Sequence, residues 1–226
     1  MGYQLTWMYI GSQKVRPTGW TPWADTVLYF PFTEDMNDHS GNSYTVSCDF
    51  GSIVDGYFYN GSATKTVNWL VITDMPSGLE TSWFTINFWE KKTAYASNTQ
   101  AVFASNSWGS QPHSLDFGNK IRFWIWGWNN DPTVPDNWLN VWRMLSYVYG
   151  GTTTNDFNLY INWSLISTAT RTGVTIPAWQ WRFFSWWGTY YPLMGYASQL
   201  IMEKKPRTAQ DLADYFDSTK WNYWIS

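Results

Sequence analysis

The sequence predicts an all-β protein built as a two-sheet antiparallel β-sandwich, with a short amino-terminal arm and one short helix near the carboxyl end. Aromatic residues make up 21% of the 226 residues and charged residues only 14%, a composition that favours strands over disorder. Short apolar segments recur along the chain between clusters of turn residues, which is typical of a sandwich or barrel. The single cysteine, Cys48, has no partner for an internal disulfide, so a hydrophobic core has to stabilise the fold.

The amino-terminal part of the chain is predicted to form a separate arm. Residues 5–16 read as two short strands around a turn, and Pro17 and Pro22 mark a linker. We therefore expect residues 1–22 to form a strand or hairpin arm with its linker. Residues 23–226 are expected to form the sandwich.

The sandwich region contains short apolar or alternating segments that predict strands. They cover residues 27–30, 83–89, 121–126, 144–149, 157–161, 165–169 and 193–202. A helix is predicted to begin after Thr208, because Asp211 follows at the spacing of a capping box. Leu212, Tyr215 and Phe216 then form an apolar stripe at helical spacing.

Six segments carry motifs of a known family. They are the opening strand and turn at 28–32 and 38–42, the F-T-I-x-F-W strand at 84–89, the aromatic strand at 142–149, the hairpin strand at 157–162 and the closing segment at 205–215. Their order and spacing resemble the concanavalin A-like lectin/glucanase superfamily, in its laminin-G-like jelly-roll branch, although Arg143 replaces the usual histidine of that branch. The resemblance implies a two-sheet sandwich, and relatives often bind calcium. It does not fix a function, since sandwich folds host many.

The acidic residues argue against a glycoside hydrolase. Retaining enzymes of this superfamily carry two carboxylates on alternate residues of one strand, about 5–5.5 Å apart. Glu34 and Asp35 are adjacent and so point to opposite faces of an extended chain, while Glu80 and Glu90 are isolated in the sequence. No predicted strand offers a catalytic pair, so we predict that the protein is not an enzyme.

Charge and hydropathy exclude other classes of partner. The net charge is −3, whereas a nucleic-acid site needs clustered lysine and arginine. No apolar run approaches the roughly 20 residues of a membrane-spanning helix. The chain shows no signal peptide, which requires a basic start and an apolar stretch.

Asp35, Asp38 and Asn42 are the candidate metal ligands. They lie close together in a turn-rich segment, and calcium prefers oxygen ligands of this kind. The alternative is that Asp38 and Asn42 hydrogen-bond the backbone of their own turn. Calcium is therefore a possible cofactor, and His39 is expected to be an exposed turn residue.

The segment from Ile121 to Trp128 is the candidate ligand-binding surface. Ile121 and every second residue after it share an apolar face, so the opposite face presents an aromatic row with one cation, formed by Arg122, Trp124, Trp126 and Trp128. Such a row suits stacking against sugar rings or burial in an oligomer interface. A third alternative is that the row packs against a loop or the second sheet of its own chain.

Some of the 19 tryptophans stand where glycine is expected. Trp163 follows Asn162 in a predicted hairpin, where a two-residue type I′ turn needs positive φ at both central residues. Trp187 and Trp224 stand at similar glycine-like positions. One hypothesis is that a codon for glycine has been read as tryptophan through an alternative genetic code. The alternative is genuine tryptophan in longer loops.

Taken together, these features predict a non-catalytic carbohydrate-binding or adhesion module displayed on a virion or cell surface. Its partners would be glycans or cell-surface polysaccharide. The alternative is a structural subunit of a phage tail fibre or surface appendage that binds no glycan. In either case the arm is expected to support a homo-oligomer or larger assembly, and the expected location is the virion or the extracellular surface.

Overall fold

In a computed structural model of the chain, the strands form two large antiparallel sheets followed by one short helix, which confirms the predicted β-sandwich. The structure describes residues 8–10, 13–15, 23–48, 51–61, 70–73, 83–94, 100–105, 113–116, 120–125, 128–130, 132–134, 139–150, 156–170, 180–184 and 193–223.

The secondary structure consists of short strands. In chain order they are β1 Met8–Ile10, β2 Gln13–Val15, β3 Thr26–Phe30, β4 Val46–Cys48, β5 Ser52–Val54, β6 Tyr57–Asn60, β7 Leu70–Thr73, β8 Phe84–Lys92, β9 Gln100–Ser105, β10 His113–Asp116, β11 Ile121–Ile125, β12 Trp128–Asn130, β13 Trp142–Tyr149, β14 Asp156–Ile161, β15 Ser164–Thr170, β16 Gln180–Phe183 and β17 Gly195–Glu203. Helix α1 spans Ala209–Thr219, and a 3₁₀ turn, Lys220–Asn222, follows it.

Two sheets account for all but the first two of these strands. The eight-stranded sheet has the order β15-β14-β13-β8-β17-β6-β5, and β3 also pairs with β17. The seven-stranded sheet has the order β12-β11-β10-β9-β16-β7-β4. Strands β1 and β2 form a hairpin that pairs with no other described strand. This hairpin lies within the predicted arm, and the boundary after residue 22 stays a prediction.

The predicted strands fall on β3, β8, β11, β13, β14, β15 and β17, with small differences at their ends. The other strands of the two sheets were not predicted. The turn from Asp55 to Gly56 joins β5 to β6 in a tight hairpin, with φ of +52° and +74° at its two residues.

The main core lies between the two sheets. On β8, Phe84, Ile86 and Phe88 alternate onto the inner face and are fully buried. The Phe84 ring centroid lies 5.7 Å from that of Trp181 on the opposite sheet. Each buried aromatic or aliphatic side chain contributes roughly 1.5–3 kcal/mol to folding, so this core is the main source of stability.

Helix α1 covers the outer face of the eight-stranded sheet. Thr208 caps the helix, and its hydroxyl accepts a hydrogen bond from the Asp211 backbone, as the capping-box prediction requires. The predicted stripe of Leu212, Tyr215 and Phe216 is buried. Burial raises the pKa of Tyr215 well above its usual value. Among the described residues, no helix is long and apolar enough to cross a membrane.

Trp89 joins the helix to the sheet. Its ring is stacked on Phe216, with 5.4 Å between centroids, and on Tyr223, with 4.3 Å. Its indole N–H donates a hydrogen bond of 3.1 Å to the Thr219 hydroxyl. The outer face of β8 is therefore as firmly packed as its inner face.

Strand β17 changes partner along one edge because of a bulge. Its first residues pair with β6 and its last residues with β3, and the register shifts between Ser198 and Ile201. Gln199 has a φ of +50° in this bulge, and its side-chain oxygen accepts a 2.6 Å hydrogen bond from the Tyr215 hydroxyl. At the start of the strand, a Cβ on Gly195 would lie 2.1 Å from the Lys91 carbonyl oxygen, so only glycine fits there.

The hairpin between β14 and β15 has the backbone that the sequence predicts. Ile161 pairs with Ser164, so the loop contains only Asn162 and Trp163. Their φ angles are +47° and +66°, as in a type I′ turn. A bulky residue at positive φ is strained by roughly 1–2 kcal/mol, and Trp163 is 47% exposed, so packing recovers little of this cost.

We predict that Trp163→Gly raises the free energy of unfolding by about 1 kcal/mol, because glycine adopts positive φ without strain. Urea unfolding of the variant and the parent protein measures the change. Trp221→Gly is the matched control, since Trp221 is also exposed but lies in the 3₁₀ turn. Equal losses of stability in both variants would contradict the explanation.

The same turn bears on the genetic-code hypothesis, which stays a prediction. Peptide mass spectrometry of the protein from its natural source would identify the residue at position 163. Glycine there would support the hypothesis, and tryptophan would rule it out at this site. Trp187 and Trp224 lie outside the described residues.

Candidate functional site

The predicted aromatic row falls mainly on β11 and β12. The central strand of this region is β11, where residue 124 pairs with His113 on β10 and with Asn129 on β12. Ile121 is buried in the core, as predicted. Trp126 and the side chains of Arg122, Trp124 and Trp128 lie outside the described residues, so binding by this row stays a prediction.

Asp38 organises the turn that holds the candidate metal ligands. Its Oδ1 accepts hydrogen bonds from the backbone N–H groups of Tyr29 and Ser40, both within 3.0 Å. Its Oδ2 accepts from the Ser40 hydroxyl at 2.8 Å and from the Tyr44 N–H at 3.3 Å. Both carboxylate oxygens therefore bind the protein's own backbone and side chains.

The other two candidate ligands are also bound locally. Asp35 accepts hydrogen bonds from Asn37 and lies 2.9 Å from Nε2 of His39, and this hydrogen bond is the largest cause of its lowered pKa. Asn42 donates from its amide to the Val27 carbonyl at 2.8 Å. Among the described residues, no group of three or more histidine, cysteine or acidic side chains is placed to hold a metal ion. Calcium binding stays a prediction, and it would have to compete with these hydrogen bonds.

A different aromatic surface crosses the outer face of the eight-stranded sheet. Strand register places Tyr59 on β6, Tyr196 on β17, Lys91 on β8 and Trp142 on β13 side by side in one row. We call these four residues the Lys91 row. All four side chains are partly buried, so each keeps one side accessible. Neighbouring strands lie about 4.8 Å apart, so the row spans about 14 Å.

The rings of the row are held by contacts to one another and to neighbouring rings on the same face of the sheet. Tyr59 and Tyr196 have ring centroids 4.8 Å apart. Tyr57 lies 4.8 Å from Trp142 and 6.2 Å from Tyr196, and Tyr223 lies 4.8 Å from Trp142. The Tyr57 hydroxyl donates to the Asn222 carbonyl at 3.3 Å. Because these rings contact one another and neighbouring rings on the same face of the sheet, the row is a preformed surface.

A buried ion quartet lies on the other side of the same strand ends. Strand alternation puts Glu90 and Lys92 on the inner face of β8, opposite Lys91, and Arg143 on the inner face of β13. Arg143 Nε donates to Glu90 Oε1 at 2.5 Å, and its Nη2 donates to Asp116 Oδ2 at 2.9 Å. Lys92 forms an ion pair with Asp116, and its Nζ lies 3.8 Å from Glu90 Oε1.

This quartet links the two sheets. Glu90, Lys92 and Arg143 belong to the eight-stranded sheet and Asp116 to the seven-stranded sheet, and none is more than 3% exposed. Burial, followed by the charge of Arg143, lowers the pKa of Lys92 well below its usual value, while Glu90 acts to raise it. Glu90 is isolated from other acidic residues in the sequence, but in the structure its carboxylate is paired with Arg143 and Lys92. Its carboxylate has a structural environment with no access for substrate.

The sequence did contain a signal for part of the Lys91 row. Asp55-Gly56 is a strong two-residue hairpin signal, and it is flanked by Ser-Ile-Val and Tyr-Phe-Tyr-Asn. It predicts strand β6 and places Tyr57 and Tyr59 on one face. No local signal places β6 beside β17, so the row as a whole could not be found from the sequence.

The fold is shared with receptor-binding domains of bacterial neurotoxins. The crystal structure of the botulinum neurotoxin serotype G binding domain matches with a TM-score of 0.69 and 14% identity, over 86% of this chain and 51% of that one. The binding domain of botulinum neurotoxin DC, solved in complex with rat synaptotagmin II, matches with a TM-score of 0.68 and 16% identity, over 86% and 51%. A structure of botulinum neurotoxin type C, whose cell entry is described as dependent on two ganglioside molecules, matches with a TM-score of 0.68 and 15% identity, over 86% and 51%.

These similarities define a class of fold. At 14–16% identity they show a shared β-sandwich, and the chain spans about half the length of the domains it matches. The similar structures are binding domains rather than catalytic ones. No protein-family model matches the sequence, and no curated protein matches it significantly.

We predict that Arg143→Met lowers the free energy of unfolding by about 3–5 kcal/mol, because it leaves two buried carboxylates with only one cation. Chemical denaturation measures the loss. Lys220→Met is the control, since its ion pair with Asp217 is exposed and contributes about 0.2–1 kcal/mol. Similar losses in the two variants would show that the quartet does not stabilise the sandwich.

Proposed function

We propose that this chain is a non-catalytic carbohydrate-binding module and that the Lys91 row is its binding surface. The observation that carries the proposal is the row itself: three partly accessible aromatic rings and one cation, on a surface fixed by contacts with neighbouring rings. The CH-rich faces of sugar rings suit flat aromatic surfaces. A length of about 14 Å suits an oligosaccharide better than a single sugar.

The similar structures support a recognition role in general terms. Their descriptions name a protein receptor, synaptotagmin II, and gangliosides, which carry sugars. Because this chain spans only about half the length of those domains, the proposal rests on the Lys91 row and takes only the general role from them.

Display on a virion or cell surface belongs to the same proposal. Stacking on a few rings gives weak affinity for one site, and many copies on one particle raise the overall affinity by avidity. The β1–β2 hairpin, which pairs with no other described strand, is a suitable attachment arm.

The hairpin also favours a second candidate function, a structural subunit of a tail fibre or surface appendage. In that case deletion of residues 1–22 leaves a folded monomer and abolishes oligomers. An oligomeric mass unchanged by the deletion, measured by light scattering, would count against assembly through the arm.

For the binding function, we predict that Tyr196→Ala weakens glycan binding by roughly 2- to 12-fold. An aromatic contact contributes roughly 0.5–1.5 kcal/mol, and 1.4 kcal/mol corresponds to a factor of ten. A broad glycan panel, followed by calorimetry on the best ligand, measures the change.

Two comparison variants make the experiment specific. Trp83→Ala removes an exposed aromatic side chain that directly precedes the first residue of β8. Because Lys91 lies near the last residue of β8, this variant should leave binding unchanged. Trp124→Ala tests the row predicted from the sequence. Loss of binding in Trp124→Ala with full binding in Tyr196→Ala would move the site to the seven-stranded sheet. Absence of binding to every glycan would reject the proposed function.

A further inference from the structure

Lys91 is the one charged side chain in the Lys91 row. It lies between Tyr196 and Trp142, which are both aromatic residues. The adjacent charged residues on its own strand, Glu90 and Lys92, point to the inner face and are engaged in the ion quartet. Among the described residues, no acidic side chain forms an ion pair with Lys91.

The position of Lys91 favours an anionic partner. Its side chain is partly buried, and strand register places it between two aromatic residues, Tyr196 and Trp142. A hydrogen bond between an ammonium group and a carboxylate or sulfate is roughly twice as strong as one between neutral groups. A neutral hydroxyl could also accept from Lys91, but it gains none of this charge attraction.

From this arrangement we propose that the module recognises acidic glycans, with Lys91 binding a carboxylate or sulfate group while Tyr196 and Trp142 stack on adjoining sugar rings. This inference rests on the proposed carbohydrate-binding function and names its class of ligand. The net charge of the chain is −3, so long-range attraction does not bring a polyanion to the protein. Selectivity for acidic sugars therefore depends on the local contact at Lys91.

The test uses pairs of oligosaccharides that differ only in charge. Oligogalacturonate is compared with its methyl ester, and sulfated oligosaccharides with their desulfated forms, by calorimetry on the full chain. The parent protein should bind the acidic member of at least one pair at least tenfold more tightly. Lys91→Gln removes the charge but keeps a polar, unbranched side chain of similar size, so it should lose this preference while its affinity for the neutral member stays unchanged.

Two further variants complete the experiment. Lys91→Arg keeps the charge and should retain the preference for the acidic member. Lys204→Gln removes an exposed lysine outside the row and should behave as the parent protein. Because Lys91 forms no ion pair with a described residue, Lys91→Gln should unfold at the same temperature as the parent, which separates a binding effect from misfolding.

The outcomes distinguish this inference from the function on which it rests. Equal affinity for both members of every pair, or an acidic preference that survives in Lys91→Gln, would overturn the inference and leave carbohydrate binding intact. Failure of the parent protein to bind any member would overturn the inference, and absence of binding to every glycan of the broad panel as well would reject both.

Discussion

Strand β8 is buried on both faces, and this constraint determines where every functional side chain lies. Its inner face carries Phe84, Ile86 and Phe88 into the core, while Trp89 on the outer face packs under helix α1. A shift of one residue in its pairing would exchange the two faces and bury the wrong side chains. The register of β8 with β13 and β17 is therefore strongly specified, and with it the positions of Lys91, Trp142 and Tyr196.

The ion quartet also specifies the register of β8, at the end of the strand that lies beyond the hydrophobic core. Hydrophobic packing is replaced there by Glu90 and Lys92 on β8, bound to Arg143 and Asp116. Burying four charges is costly, and the cost is recovered only when the geometry is right. A wrong register would leave these charges unpaired, so the quartet selects the alignment that also forms the Lys91 row on the opposite face.

The sequence predicted the sandwich, the capped helix and the strands with clear alternation, because those features are local. It failed where local pattern is weak. Strand β9, with the sequence Gln-Ala-Val-Phe-Ala-Ser, lacks alternation because a bulge at its pairing with β10 turns both Val102 and Phe103 into the core. Strand β16 carries Arg182, which is buried and whose pKa burial lowers to about 10, a residue type that normally marks a surface. The Lys91 row combines residues from four strands far apart in sequence, and only the order β6-β17-β8-β13 brings them together.

Side-chain footprinting can show directly whether glycans bind on the outer face of the eight-stranded sheet. Hydroxyl radicals oxidise accessible tryptophan and tyrosine side chains, and mass spectrometry locates the products with and without the best-binding glycan. If glycans bind there, the ligand should reduce oxidation of Tyr59, Trp142 and Tyr196, while oxidation of the exposed Trp83 and Trp221 should remain unchanged. Protection confined to Trp124, Trp126 and Trp128 would contradict this outcome and place binding on the seven-stranded sheet.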